Sequence, residues 1–196
     1  MKQIEITTIV KQNLKEIDNI LSKQGFKIIR KSNIKDRYMS QEINKLNKDN
    51  ILEVLSKSLI IRYLNVNNKD IIKKLTYKNK KIKDNKILTE EKIDINVDDL
   101  DKTEQLLSAI GLKKLVDVKY DVIVYQKDNL EFAFQQVEGL GLLLEYESTK
   151  DYENYTNNEI LKEKKKMIDE VKKYNIEISN DFDIKKAFEL IKKRFD

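Results

Sequence analysis

Short segments in which apolar and polar residues alternate recur along most of this chain, and they constrain its fold more than any other feature. A period of two is typical of β-strands that bury one face. It predicts an extended stretch over 26–41 and strands over 2–10, 58–66, 70–78, 86–97, 113–125, 129–137 and 141–148. Because few crossover helices separate these segments, we expect an α+β fold with a mainly antiparallel sheet, curled or closed.

Helical periodicity falls between some strands and after the last one. The first predicted helix begins at Leu14 and closes at Gly25, and a second surrounds 51–55. Three more are predicted over 98–111, 158–174 and 183–195. The last helix has an apolar face made of Ile184, Ala187, Phe188, Ile191 and Phe195. We therefore predict a barrel domain over 1–150 and a helical extension over 151–196. The extension should pack by its apolar faces against the outside of the barrel or one of its mouths.

Composition excludes several kinds of chemistry. The chain has no histidine and no cysteine, so disulfides and imidazole or thiolate ligands are ruled out. A metal site would need oxygen donors, which favours Mg²⁺, Mn²⁺ or Ca²⁺. No apolar run reaches membrane-spanning length. The net charge of +5 is only mildly basic, and the lysine-rich run 161–167 lacks interleaved aromatics. We expect a cytoplasmic protein with no membrane or nucleic-acid partner.

The segment VEGLGLLLEYE, residues 137–147, contains two of the four glycines of the chain. Gly139 and Gly141 indicate a turn, because glycine adopts positive φ without steric cost. In the strand that follows, Glu145 and Glu147 lie side by side on one face. Such a pair is either a solvated strand face or a place where something positive is held.

This segment closely resembles the V-x-G-L-G-x-F-x-E-x-E ending of CYTH domains, the triphosphate tunnel family of class IV adenylyl cyclases and thiamine triphosphatases. Other segments are similar to family motifs in the same order: IKDRYMSQ (34–41), SLIIRY (58–63), LTYK (75–78), EEKIDINV (90–97) and SAIGLKK (108–114). The resemblance spans roughly residues 2–148. It implies an eight-stranded antiparallel barrel, closed or nearly closed, with external helices. Basic residues of its inner wall would bind a triphosphate, and carboxylates would hold one or two divalent ions.

The resemblance also implies roles for particular residues, although it assigns no catalytic residue. Arg62 and Lys78 would bind phosphates. Mg²⁺ or Mn²⁺ would be held by Glu5, Glu145 and Glu147, and further residues of the lumen would be Glu90, Asp94 and Gln135. The expected ligand is ATP, thiamine triphosphate or inorganic triphosphate.

Several positions depart from the family pattern. Ile60 stands where an arginine is expected, and Tyr120 and Val122 stand at cationic positions; Thr7, Ile9 and Gln135 replace a carboxylate, a lysine and an aspartate. An apolar residue in place of arginine removes a bidentate phosphate contact. We therefore expect a metal-dependent triphosphate-binding protein with weak or lost catalysis, which if active is a hydrolase or adenylyl cyclase. The alternative is a non-catalytic ligand-binding or protein-interaction module, and a homodimer stays open.

Overall fold

A computed structural model describes residues 4–83 and 86–196, except for the side chains of 79–83 and 86–91. The strands are β1 (Glu5–Ile9), β2 (Lys27–Ser40), β3 (Leu59–Val66), β4 (Asp70–Lys83), β5 (Lys86–Asn96), β6 (Lys113–Lys127), β7 (Leu130–Val137) and β8 (Gly141–Glu147). The helices are α1 (Leu14–Lys23), α2 (Ile51–Ser56), α3 (Leu100–Ala109), α4 (Asn157–Lys173) and α5 (Lys186–Lys192). A 3₁₀ turn, Ile43–Lys45, precedes α2.

All eight strands form one antiparallel sheet in the order β1-β8-β7-β6-β2-β3-β4-β5. The α+β class and the eight antiparallel strands are therefore confirmed. Closure into a barrel is not seen, because β1 and β5 stand at opposite ends of the sheet and do not pair with each other in the part of the chain that the structure describes. The prediction of a closed or nearly closed barrel thus needs correction to an open sheet.

The C-terminal segment explains why β1 does not pair with β5. Its backbone runs along the outer edge of β1: the Thr7 N–H donates to the Phe182 carbonyl at 3.1 Å, and the Ile184 N–H donates to the Thr7 carbonyl at 3.0 Å. Further along, the Ser179 N–H donates to the Ile9 carbonyl at 2.9 Å. Because each backbone group of an edge strand is satisfied by one partner, residues 179–184 occupy the edge that a closing strand would need.

The sheet has two faces with different coverings. The back face packs against α1 and α4, whose Ile17, Leu21, Met167 and Val171 join Ile6, Phe132, Phe134 and Leu144 in one buried cluster. The other face, called the site face, carries Asp36, Arg62 and Glu145. It is covered by α2 and α5 through a second cluster that contains Ile51, Leu55, Ile60, Val122, Leu143, Ala187 and Ile191.

Both predicted C-terminal helices are present, but they lie on opposite sides of the sheet. The chain passes from α4 on the back face, along the β1 edge, to α5 on the site face. The boundary at residue 150 stays a prediction. Gly139 and Gly141 have φ values of +81° and +95°, which explains why this turn requires glycine. No helix in the described ranges is long and apolar enough to cross a membrane.

Candidate functional site

The strand register brings the predicted site residues to one face. Directly opposed residues of antiparallel strands share a face. Glu5 lies opposite Glu147, and Asp36 lies opposite Arg62. The remaining opposed pairs that connect the strands are Leu143 with Gln135, Gln135 with Val122, Val118 with Asp36, Arg62 with Lys74, and Thr76 with Asp94. The site face thus carries Glu5, Arg62, Lys78, Asp94, Gln135, Glu145 and Glu147. The side chain of Glu90 lies outside the described residues.

A buried ion pair occupies the middle of the site face. Arg62 donates from Nε to Asp36 Oδ1 and from Nη2 to Asp36 Oδ2, both at 2.6 Å. The Tyr120 hydroxyl donates to Asp36 Oδ2 at 3.3 Å. Asp36 is only 3% exposed, so this bidentate pairing compensates a charge that burial would otherwise make costly. Arg62, predicted as a phosphate ligand, therefore holds Asp36 with its bidentate edge.

Burial and the neighbouring charges shift the pKa values of Arg62 and Tyr120. Burial alone would lower the pKa of Arg62, but its hydrogen bonds to Asp36 and the charge of that carboxylate raise it. Burial, followed by the charge of Asp36, raises the pKa of Tyr120 well above its usual value. Arg62 is thus permanently charged, and Tyr120 is a neutral hydrogen-bond donor at physiological pH.

A cation that the sequence analysis missed lies beside Glu145. Lys186, the first residue of α5, donates from Nζ to Glu145 Oε2 at 3.1 Å and to Gln135 Oε1 at 2.5 Å. Its Nζ also lies 4.7 Å from the centre of the Tyr120 ring, within cation–π range. The signal was available, because Lys186 adjoins Ala187 in the helix that was predicted to dock.

The contact with Lys186 lowers the pKa of Glu145. Burial would raise it, but the charge and hydrogen bond of Lys186, followed by the charge of Lys78, lower it to about 2. Lys78 therefore acts on the same carboxylate from β4. The predicted phosphate-binding lysine and the predicted metal-binding glutamate belong to one electrostatic cluster.

The carboxylates proposed for metal binding are neighbours without forming a ready-made metal site. Glu5 and Glu147 are directly opposed, and Glu145 follows on the same face. Among the side chains that the structure describes, no group of three or more acidic residues is arranged to hold a metal ion. Opposed carboxylates repel each other and are hard oxygen donors, so they are chemically suited to Mg²⁺ or Mn²⁺. The metal assignment stays a prediction.

A cavity of about 410 Å³ opens next to these carboxylates. Its lining includes Glu145 and Glu147 together with two cations, Arg30 and Lys150. Arg30 lies opposite Val124 and therefore on the site face. Counting back from Asp36 along β2 with a period of two also places Arg30 on the site face, because the two residues are six positions apart.

Three of the positions that depart from the family pattern are buried in the cluster that includes α5, whereas a fourth, Ile9, is 41% exposed. Ile60, Tyr120 and Val122 belong to the same buried cluster as Ala187 and Ile191. Ile60, Tyr120 and Val122 thus form part of the buried surface that α5 helps to cover.

The protein has one eight-stranded antiparallel sheet, and its ion pairs Arg62–Asp36 and Lys186–Glu145 lie on one face of that sheet. This is the structural class of the triphosphate tunnel proteins. The chain is 30% identical over 149 residues to a protein of Methanocaldococcus jannaschii named as a putative adenylate cyclase. The alignment covers 76% of this chain and 78% of that relative. The chain therefore belongs to the CYTH-like family of putative adenylate cyclases.

Solved structures support the fold. The PH1819 protein of Pyrococcus horikoshii superimposes with a TM-score of 0.71 at 23% identity, over 98% of this chain and 99% of that one. A putative adenylyl cyclase from Hippeastrum, described as having a dominant triphosphatase activity, gives a TM-score of 0.56 at 13% identity, over 99% and 96% of the two chains. No family model matches the sequence.

Proposed function

We propose that this protein binds a triphosphate-bearing small molecule on the site face together with Mg²⁺ or Mn²⁺, and that its turnover of the molecule is weak or absent. Family membership supports the ligand class, as does the triphosphatase activity described for the Hippeastrum protein. The observation that carries the proposal is the position of Lys186, which brings a cation to Glu145, Gln135 and Tyr120.

The phosphates would be bound by cations from three different elements. Lys78 and Lys186 already act on the carboxylate of Glu145, and Arg30 lines the adjoining cavity. A lysine ammonium is a compact charge with several donors and can exchange one oxygen acceptor for another. Arg62 would contribute its fixed positive charge while Asp36 holds it in place.

The divalent ion would be held by Glu5 and Glu147, joined by Glu145. When bound, such an ion neutralises charge on phosphoryl oxygens. Glu145 accepts a hydrogen bond from Lys186. A triphosphate that attracts Lys186 would release Glu145 toward the ion, so we expect the metal and the triphosphate to bind with positive coupling.

Weak turnover follows from the apolar replacements. Stabilising the charge that develops during phosphoryl transfer requires preorganised donors around the phosphates. Ile60 and Val122 provide none and are buried, and the bidentate edge of Arg62 is committed to Asp36.

The test measures metal-dependent phosphate release from ATP, thiamine triphosphate and inorganic triphosphate, together with the melting temperature at each ligand concentration. We expect Mn²⁺ and triphosphate to raise the melting temperature by mass action while phosphate release stays slow. The double variant Glu145→Gln/Glu147→Gln should lose the metal effect, because an amide is a poor ligand for a hard cation. The exposed turn variant Glu138→Gln is the matched control.

One observation favours the second candidate, a non-catalytic interaction module. In the structure α5 covers part of the site face through a buried cluster. If neither metal nor any triphosphate raises the melting temperature of the unmodified chain, the proposal of triphosphate binding is wrong and this alternative is favoured.

A further inference from the structure

The two edge strands of the sheet, β1 and β5, differ in what covers their outer edges. The outer edge of β1 is covered by residues 179–184 of the same chain. At the other end, β5 pairs with β4 on one side, and among the described strands nothing pairs with its second side. Unpaired edge strands are templates for pairing with another chain. Because the tail already occupies β1, the β5 edge cannot be satisfied by closing the barrel.

Apolar side chains are exposed next to this edge. Ile93 and Ile95 lie on the back face of β5, opposite Tyr77 and Leu75 of β4, and each is 58% exposed. Isolated exposed apolar residues are normal, whereas a group of them beside an open edge indicates an interaction site.

Helix α3 packs on the same face of the sheet. It lies over β3 and β4, with Leu107 buried against the sheet and Glu104 paired with Arg37 of β2. The Ile110 carbonyl at its end accepts from Gln41, which follows β2, so the helix leaves Ile93 and Ile95 exposed. Ile93 and Ile95 together are called the β5 patch.

We propose that the β5 edge and the β5 patch pair with the same surface of a second copy of this chain. The two β5 strands run antiparallel, with Ile93 facing its own copy on the twofold axis. In this register Lys92 lies opposite Asp94 of the other copy, twice. Asp94 already accepts from Thr76 at 2.7 Å and from Lys74 at 3.0 Å, but its side chain is 39% exposed and a carboxylate can accept further hydrogen bonds.

Charge selects this register over its neighbours. An axis through Lys92, Asp94 or Glu91 would place each of these charges opposite its own copy, which is unfavourable. An axis through Ile95 would leave only residues 94–96 of β5 paired, whereas the axis through Ile93 pairs residues 90–96. The favoured register also places both copies of the β5 patch on the same side of a continuous sheet, where they can cover each other.

The test is sedimentation analysis of the full chain over a range of concentrations. We expect a monomer–dimer equilibrium for the unmodified chain. Lys92→Asp alone and Asp94→Lys alone should each weaken the dimer about tenfold or more, because each places two like-charged pairs across the axis. An equimolar mixture of the two variants should form a heterodimer, since both cross-axis pairs are then of opposite charge.

Two further variants keep the test decisive if Asp94→Lys fails to fold after losing Thr76 and Lys74. Ile93→Glu changes an exposed side chain on the axis and should abolish the dimer without lowering the melting temperature. Leu161→Glu, a matched change at an exposed site on α4, should leave the dimer intact. A chain that stays monomeric at every concentration, or a dimer that tolerates Ile93→Glu and Lys92→Asp, would overturn the proposal.

Discussion

Removing the amine of Lys186 tests whether α5 supplies the missing positive charge of the site. In Lys186→Met the methionine keeps most of the apolar stem, so the lost interaction is mainly the contact with Glu145 and Gln135. The carboxylate of Glu145 would then remain in a largely dry environment, with Lys78 and Gln135 as the remaining groups that lower its pKa.

The pKa of Glu145 sets the size of the effect. A fall from 4.5 to about 2 corresponds to roughly 3 kcal/mol at about 1.4 kcal/mol per unit. The side chain is 26% exposed, so water screens part of this interaction, and Lys78 and Gln135 share it. We therefore expect Lys186→Met to lower the free energy of unfolding by about 2 kcal/mol at neutral pH.

The pH dependence has a definite sign. A carboxylate whose pKa is lower in the folded chain adds stability above its unfolded pKa of 4.5 and loses that contribution as the pH falls toward 2. Loss of the amine raises the folded pKa of Glu145. The difference in unfolding free energy between the two proteins should therefore be largest near neutral pH and shrink progressively below about pH 4.5.

Urea unfolding over this pH range provides the measurement. Adding Glu145→Gln to Lys186→Met should recover much of the lost stability, since no unpaired charge then remains buried. Lys192→Met, an exposed change at the other end of α5, is the control. If Lys186→Met is as stable as the unmodified chain at every pH, the contact contributes nothing and the argument from charge compensation is wrong.

Three further predictions concern the packing of the site face. Asp36→Asn should lower the unfolding free energy by about 3 kcal/mol, because it leaves the buried guanidinium with a neutral partner; urea unfolding measures it. Ile191→Ala, at a fully buried position of α5, should cost about 2–5 kcal/mol in the same assay. Gly139→Ala should lower the melting temperature more than Gly25→Ala does. Both glycines have positive φ, but only at Gly139 would the added methyl lie 3.1 Å from Leu190 of α5, whereas nothing lies within 4 Å at Gly25; equal losses would exclude that contact.

The strands could be predicted because burial of one face imposes a period of two on the sequence. The predicted limits 58–66 and 70–78 match the starts of β3 and β4 within one residue, although β4 continues to Lys83. Within each strand the same period decides which side chains share a face. Glu145 and Glu147 were therefore predicted on one face without knowledge of the sheet order, whereas Arg62 was assigned from the family resemblance.

Sheet closure and the contact of Lys186 could not be predicted in the same way. Closure depends on whether the β1 edge pairs with β5 or with residues 179–184, and both choices satisfy the same backbone groups. Lys186 reaches Glu145 across 41 positions of the chain. Its position depends on how the tail crosses the sheet edge, which local periodicity does not encode.

The apolar residues at strand positions where the family pattern expects cations favour the docking of α5. An arginine at Ile60 or Val122 would carry its charge into the cluster where Ala187 and Ile191 are buried. Burying a charge without a partner costs several kcal/mol, so an unpaired arginine at either position would disfavour the docking of α5. Once the strand positions are apolar, α5 can rest on them, and its first residue then places a lysine beside Glu145. The same helix therefore packs on apolar strand residues and places a positive charge beside Glu145.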